Sequence, residues 1–551
     1  MRITLQIILC LSAMSHSFAE TISVPIILTP ELNSRKLQRE VREVIRVKSM
    51  KAEHGLAYTA ALRLQRAADK TGKSECVLYE DGKPIGPSRA LHRDIRELGK
   101  GRYSHWTQST LYFSASDSTD PRTNGRKYEL VSSEEYTSRR AKCVAGTGNS
   151  SLVIRTNEKA RIRPVRLRWE NLSSRTLLPT LRHTDWPDLT STDGILKSIL
   201  KKEMSDEEKA IAIWKFLVDW RYHYYPAEGG QEIHDPVKFI NVYGYGFCDD
   251  SAANFSALCR QAGVKARSYA LSGHVVAEAF FENGWHMFDP DHHVYYRRKD
   301  GTIASSADLE KNPKLITDAK PLPGATTFSY TPRMAELYTT TKNNRPFTSP
   351  MPKKKTMDFP LAPGDTLEFN STHAELVHSR LFKDEPLPPV LGNGMHSHPF
   401  KDLRSLTSIG GGRMYEVECP YVILNAEIGF QITGDHRPGI SVSLEGGKWS
   451  PLKVTIKGNR AAASAREWLS RKNACYGFRI RFESDKGDPA EFIRKGAVTT
   501  TFQFAPRAVP QVAAGTNSLL IAIKNGLNTS IELKGMSLEF EWEEILRERR
   551  P

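Results

Sequence analysis

The chain has 551 residues, with 78 Lys plus Arg against 63 Asp plus Glu and a formal net charge of +15. A chain of this length holds about three or four domains. The positive excess is spread along the sequence instead of forming one basic arm, which fits either an acidic polymer at a cell surface or a merely solubilising surface charge better than nucleic acid. No C-x-x-C pair occurs among the seven cysteines, so zinc-finger-type ligation is not expected, and neither is any metal or cofactor.

The N-terminus reads as a targeting segment. Arg2 precedes an apolar run over residues 3–11, too short to span a bilayer, and Ser17-Phe18-Ala19 resembles a small-x-small cleavage site. Residues 1–19 are therefore expected to be a signal peptide cleaved near Ala19, leaving a secreted or periplasmic protein. No later stretch is long and apolar enough for a membrane helix. Residues 20–165 read as a β-rich domain, with alternating apolar positions over 56–64 and 110–114 and frequent Gly, Pro, Asn and Asp between them. The loop 116–126 carries Asp117, Asp120 and Asn124, but its spacing is not that of a calcium loop, and a hydrogen-bonded structural loop is expected.

Helical patterns follow in a central module over 175–300. Residues 193–202 are amphipathic. Ser205 with Glu208 forms a capping box ahead of a helix running to about 221, with an apolar face of Ile211, Trp214, Phe216, Leu217 and Trp220. Gly244 and Gly246 then precede Cys248. Ala252, Phe255, Cys259 and Ala262 share one helix face with Cys248, and Gly263 closes the helix. Cys248 thus falls in the first turn, where unpaired backbone N–H groups and the macrodipole favour a thiolate. Cys259, about 16 Å further along the axis, reads as a core residue.

Two alternating segments come next, 274–281 and 285–289, separated by Asn283-Gly284. A two-residue Asn-Gly turn would set Asp289 opposite Glu278 and leave His274 roughly 13 Å away along the strand. A four-residue loop over 281–284 would set Asp289 opposite Val276. His274 is then a diagonal neighbour at roughly 7–8 Å between backbones, within side-chain reach. Beyond lies His292-His293-Val294-Tyr295-Tyr296-Arg297. With Tyr222 and Tyr224, the side chains of His292, His293, Tyr295 and Arg297 either line the mouth of a cleft or pack the hairpin onto its neighbour. Residues 301–410 read as a Pro-rich linker and β-rich segment, and 411–551 as a C-terminal β-sandwich.

A Cys opening a helix, a His opening a strand and Gly284-Trp285 leading to Asp289-Pro290 resemble the transglutaminase-like superfamily over roughly 193–296. The resemblance implies a papain-like α+β core in which Cys248 is the nucleophile, His274 its base and Asp289 the group orienting the His. It also implies an upstream side chain that helps hold the oxyanion, for which Tyr243 is the candidate. Val276 departs from the aromatic residue usual two places after the His, which bears on the shape of the acyl pocket. The expected architecture is α+β, a transglutaminase-like core flanked by β-sandwich-type N- and C-terminal domains.

The cysteines outside the core fall into two regional pairs, and an oxidising compartment makes disulfides Cys76–Cys143 and Cys419–Cys475 the expectation. Two functions are open. One is a cysteine enzyme that attacks amides through an acyl-thioester, with hydrolysis favoured over crosslinking, acting on a protein or peptidoglycan-type substrate. The other is a surface protein that binds or degrades acidic polysaccharide, with His292, Tyr295 and Arg297 supplying lyase-type chemistry without Cys248.

Overall fold

The computed structural model describes residues 26–62, 68–70, 72, 74–224, 231–352, 355–372, 374–378, 391–470, 474–525 and 535–546. The expected signal segment and its cleavage point lie outside them. No helix among the described residues is long and apolar enough to cross a membrane.

Alternation of side chains builds the largest layer. In Met536–Leu546, Leu538, Phe540 and Trp542 are buried on one face, while Glu539, Glu541 and Glu543 point to the other. That strand lies between Ala160–Asn171 and Tyr128–Ala145, both antiparallel to it. Arginines on neighbouring strands meet the glutamates. Arg163 holds Glu543 through two bonds of 2.8 and 2.7 Å, and Arg166 reaches Glu539 at 2.8 Å and Glu541 at 3.0 Å. The same 12-stranded sheet continues through Thr366–Asn370, Gly392–Asp402, Ile493–Phe504 and Val422–Ile432. A second sheet sets Thr516–Asn525 between Gly148–Arg155 and Leu177–His183.

These pairings run across the expected boundaries of a domain 20–165 and a domain 411–551. Strands from both ends of the chain share two sheets and one core, which also contains Trp214, Phe255 and Cys259 of the central module. A smaller core, with Ile45, Leu78, Leu111, Phe113 and Tyr128, sits apart in the N-terminal third. The loop 116–126 beside it is held as expected. Asp117 accepts from Thr119, Asp120 from Arg122, and Asn124 donates to Tyr128 Oη at 2.9 Å.

The disulfide expectations are corrected, since neither pair is bridged. Val77, next to Cys76, pairs with Val131 on the long strand Tyr128–Ala145. Cys143 lies twelve residues further along that strand, roughly 40 Å away, in the main core and not the small one. Cys419 and Cys475 are backbone neighbours, but Cys419 N–H donates to Tyr476 O at 2.9 Å. Cys475 is therefore one position out of register, and alternate residues face opposite sides of a ladder. Its Sγ lies 3.3 Å from Gly477 O.

The central module is α+β. The helix Cys248–Gln261 packs on an antiparallel sheet ordered Gly284–Phe288, His274–Phe281, Lys265–Leu271, Arg345–Phe347. The helix buries Ala252, Phe255 and Cys259 completely against it, and a side chain such as Phe255 contributes roughly 1.5–3 kcal/mol by leaving water. The expected helix Asp206–Trp220 is present with its Ser205–Glu208 capping box. The module is tied to the large sheet by Asn241 and Gln503. Asn241 O accepts from Ala505 N–H at 2.8 Å, and Gln503 Nε2 donates to Val242 O at 3.1 Å.

Candidate active site

Cys248 is the first residue of its helix, and its side chain is partly exposed. The approach to it demands glycine twice. Gly244 has φ +66°, and a β-carbon there would sit 2.9 Å from Ala505 Cβ. A β-carbon at Gly246 would sit 2.8 Å from both Asp250 Oδ2 and Phe239 Cε2. Asp250 needs that space, because its Oδ2 accepts from Phe247 N–H at 2.8 Å and caps the helix from within. Its Oδ1 lies 3.1 Å from His234 Nε2.

His274 opens its strand after a turn in which Gly273 has φ +84°. The hairpin that follows turns on Glu282 and Asn283, both left-handed at φ 49° and 60°, with Phe281 pairing Gly284 and Ala277 pairing Phe288. That register carries Asp289 opposite Val276. It is the alignment that the longer loop would have produced, reached here by a two-residue turn one position earlier than Asn283-Gly284. The result is a 2.7 Å bond between His274 Nε2 and Asp289 Oδ2. Nδ1 is left for the thiol, and Cys248 Sγ and a His274 ring nitrogen are within 4.8 Å.

Asp289 is fully buried and surrounded by donors. Its Oδ1 accepts from Asp291 N–H at 2.9 Å and His292 N–H at 3.0 Å. Oδ2 takes His274, and also His292 Nδ1 at 3.1 Å. Its backbone carbonyl accepts from Trp214 Nε1 at 3.2 Å. Burial by itself would raise this carboxyl's pKa, but the His274 charge and hydrogen bond, with His292, hold it well below the usual range. The converse holds for His274. Burial lowers its pKa, yet the Asp289 charge and hydrogen bond, with Cys248 adding, raise it to about 10. The ring of His292 stacks on that of His274 with centroids 4.4 Å apart.

A second carboxylate stands beside the pair. Asp291 is buried and accepts from Arg221 Nη1 at 2.6 Å and His223 Nδ1 at 2.9 Å, while Arg221 Nη2 donates to Pro290 O at 2.5 Å. An oxygen of Asp291 lies within 4.8 Å of both Cys248 Sγ and a His274 nitrogen. His223 sits on the two-residue strand that runs parallel to Tyr245–Gly246, just before Cys248. Arg221, His223 and Asp291 were not singled out from the sequence. The available signal was the tripeptide Asp289-Pro290-Asp291 together with a basic pair, Arg221 and His223, at the end of the preceding helix.

The other expected residues are not gathered in the same way. Tyr243 is completely buried and its hydroxyl donates to Glu232 Oε1 at 2.6 Å, so its donor is already committed. Tyr295 packs edge-on against Trp214 at 5.0 Å, within the core rim. Arg297 spends its guanidinium on Gly301 O at 2.6 Å and Glu207 at 3.1 Å. His293 contacts Gly324 O at 3.2 Å. Tyr222 is exposed, with Arg507 over its ring at 5.4 Å, and Tyr224 meets Tyr245 edge-on at 6.2 Å. Of the downstream group, His292 touches His274 and Asp289, while the Arg297 guanidinium lies over the Tyr295 ring at 5.3 Å.

Residues 193–290 match the family model of the transglutaminase-like superfamily. The search of curated proteins finds no match. Among solved structures, the crystal structure of a candidate protease from Parabacteroides distasonis is similar at 9% identity, covering 86% of this chain and 97% of that one with a TM-score of 0.16. A likeness that remote places no residue.

Proposed function

We propose that the transglutaminase-like domain at 193–290 makes this protein a cysteine enzyme acting on amide bonds through an acyl-thioester. The observation that carries the proposal is the 2.7 Å His274–Asp289 bond, with the first-turn Cys248 thiol within 4.8 Å of the same imidazole. His274 takes the thiol proton, and Cys248 Sγ attacks the amide carbonyl carbon. The backbone N–H of Cys248, in the helix's first turn, receives the developing oxyanion. His274 returns the proton to the leaving amine. Water, deprotonated by His274, then attacks the thioester carbonyl and releases the acid and the thiol. Asp289 keeps the imidazole oriented and supports its positive charge throughout. Hydrolysis is the favoured outcome because water is always at hand, with an exported location and an acidic cell-surface polymer, a protein or a peptidoglycan-type material as the substrate.

The test is a turnover screen of wild type and Cys248→Ala on peptidoglycan, protein amides and acidic glycans. Amide cleavage by the wild type that is abolished in Cys248→Ala supports the proposal. Glycan turnover that survives in Cys248→Ala contradicts it and favours the polysaccharide alternative.

A further inference from the structure

Asp291 is the carboxylate that the Cys–His–Asp relay does not use. One of its oxygens, the sulfur of Cys248 and a ring nitrogen of His274 all lie within 4.8 Å of one another. We propose that these three side chains form a reversible inhibitory site for a divalent transition metal ion, zinc above all.

The donor set selects the ion. A thiolate and an imidazole are borderline-soft ligands that suit zinc and disfavour calcium or magnesium, and a carboxylate oxygen completes a common trio. Tetrahedral zinc with bonds of about 2.0–2.3 Å holds its donors roughly 3.3–3.8 Å apart. The spacing here therefore needs only modest side-chain rotation to close on an ion.

The surroundings fit as well. His274 Nε2 is held by Asp289 at 2.7 Å, which leaves Nδ1 for the ion. Metal-ligating histidines are usually fixed in this way, by a carboxylate on the other ring nitrogen. Asp291 is itself oriented by Arg221 and His223. His274 and Asp291 are buried at 6% and 7% exposure, whereas Cys248 is partly open, so an ion reaches the trio from the Cys248 side and keeps water as its fourth ligand. The Arg221 charge opposes the ion. That keeps the site weaker than a closed four-ligand zinc site and makes occupancy reversible. Coordination releases to solvent the single proton that Cys248 and His274 hold between them, and it removes both nucleophile and base from the reaction. Binding of the ion rests on the position of Asp291 and holds whether or not the amide chemistry is correct; its inhibitory effect rests on that proposed chemistry.

The experiment uses the full chain and reads iodoacetamide labelling at Cys248 by peptide mass spectrometry, so it needs no substrate. Zinc chloride at micromolar concentration is expected to slow labelling at least tenfold, and a chelator to restore it. Asp291→Asn is expected to need at least tenfold more zinc for equal protection, in line with the 10–100-fold losses seen on disturbing the partners of metal ligands. Unchanged labelling in excess zinc overturns the proposal. An unchanged zinc dependence in Asp291→Asn also overturns it, since the thiol and imidazole would then bind the ion alone. If Asp291→Asn fails to fold because Arg221 loses its buried partner, cobalt added to the wild type decides. A thiolate-to-cobalt charge-transfer band with tetrahedral visible intensity supports the three-donor site, and its absence contradicts it.

Discussion

Asp289 is the residue on which the site depends. Two imidazoles and two backbone N–H groups share its two oxygens, so the carboxylate orients both rings and closes the loop 289–292 around itself. His274 is raised from 6.5 to about 10, so the stability its charge contributes is fully present below about 6.5 and is lost as pH rises towards 10. Asp289 is lowered from 3.8, so its contribution is present above that value and is lost as pH falls through the lower folded-state range. Asp289→Asn should therefore cost most stability between roughly pH 4 and 6.5, with the gap to wild type narrowing towards pH 10. Urea melts across that range check the sign; a gap that widens towards pH 10 would contradict it. That Cys248, His274 and Asp289 would come together was legible from order and spacing. The second imidazole on Asp289 was not, because a His three residues past an Asp bonds to it only when the intervening loop folds back.

At the scale of elements, one turn decides whether a triad exists. Asn-Gly is the strongest short hairpin signal, yet the turn lies one residue earlier, on Glu282-Asn283. Ring packing supplies the reason. Phe281 stacks on His286 at 3.8 Å, and Trp285 meets Phe280 at 5.2 Å and the Arg267 guanidinium at 3.8 Å. A turn on Asn283-Gly284 would shift the pairing by two residues and take Trp285 from opposite Phe280 to opposite Glu282. Asn283→Val puts a β-branched side chain at φ 60° and should cost about 1–2 kcal/mol, read by thermal or urea melts, whereas Asn283→Gly should be nearly neutral. Equal stability of the two variants would contradict the turn assignment. By contrast, the cysteine helix and the Ser205 helix were fully legible, because their glycines, caps and apolar periodicity are local in sequence.

At the scale of the molecule, sequence and structure part company. Local patterns marked 411–551 as β-structure, but not that Thr516–Asn525 pairs with both Gly148–Arg155 and Leu177–His183. Pairing across hundreds of residues leaves no local mark. The one readable trace was charge complementarity, with arginines alternating in Ala160–Asn171 and glutamates in Met536–Leu546, two strands that lie side by side. Because the C-terminal strands complete sheets begun in the first third, a chain ending at residue 410 should fail to fold, exposing the faces of Ala160–Asn171 and Gly148–Arg155. Sedimentation and near-ultraviolet circular dichroism check this. A soluble, cooperatively melting chain 20–410 would show that the halves are independent.

The central claim is that Cys248 and His274 form an activated pair, and the most direct measurement is the site-resolved rate of alkylation against pH. In wild type, Cys248 should react at pH 5–6 far faster than a model thiol, because the imidazole held by Asp289 lies beside it. Cys259 is completely buried, with its thiol pKa pushed well up by that burial, and should stay unreacted. His274→Ala should return Cys248 to the profile of an ordinary thiol. A wild-type Cys248 that labels no faster than a model thiol at low pH, or a profile unchanged by His274→Ala, would contradict the account.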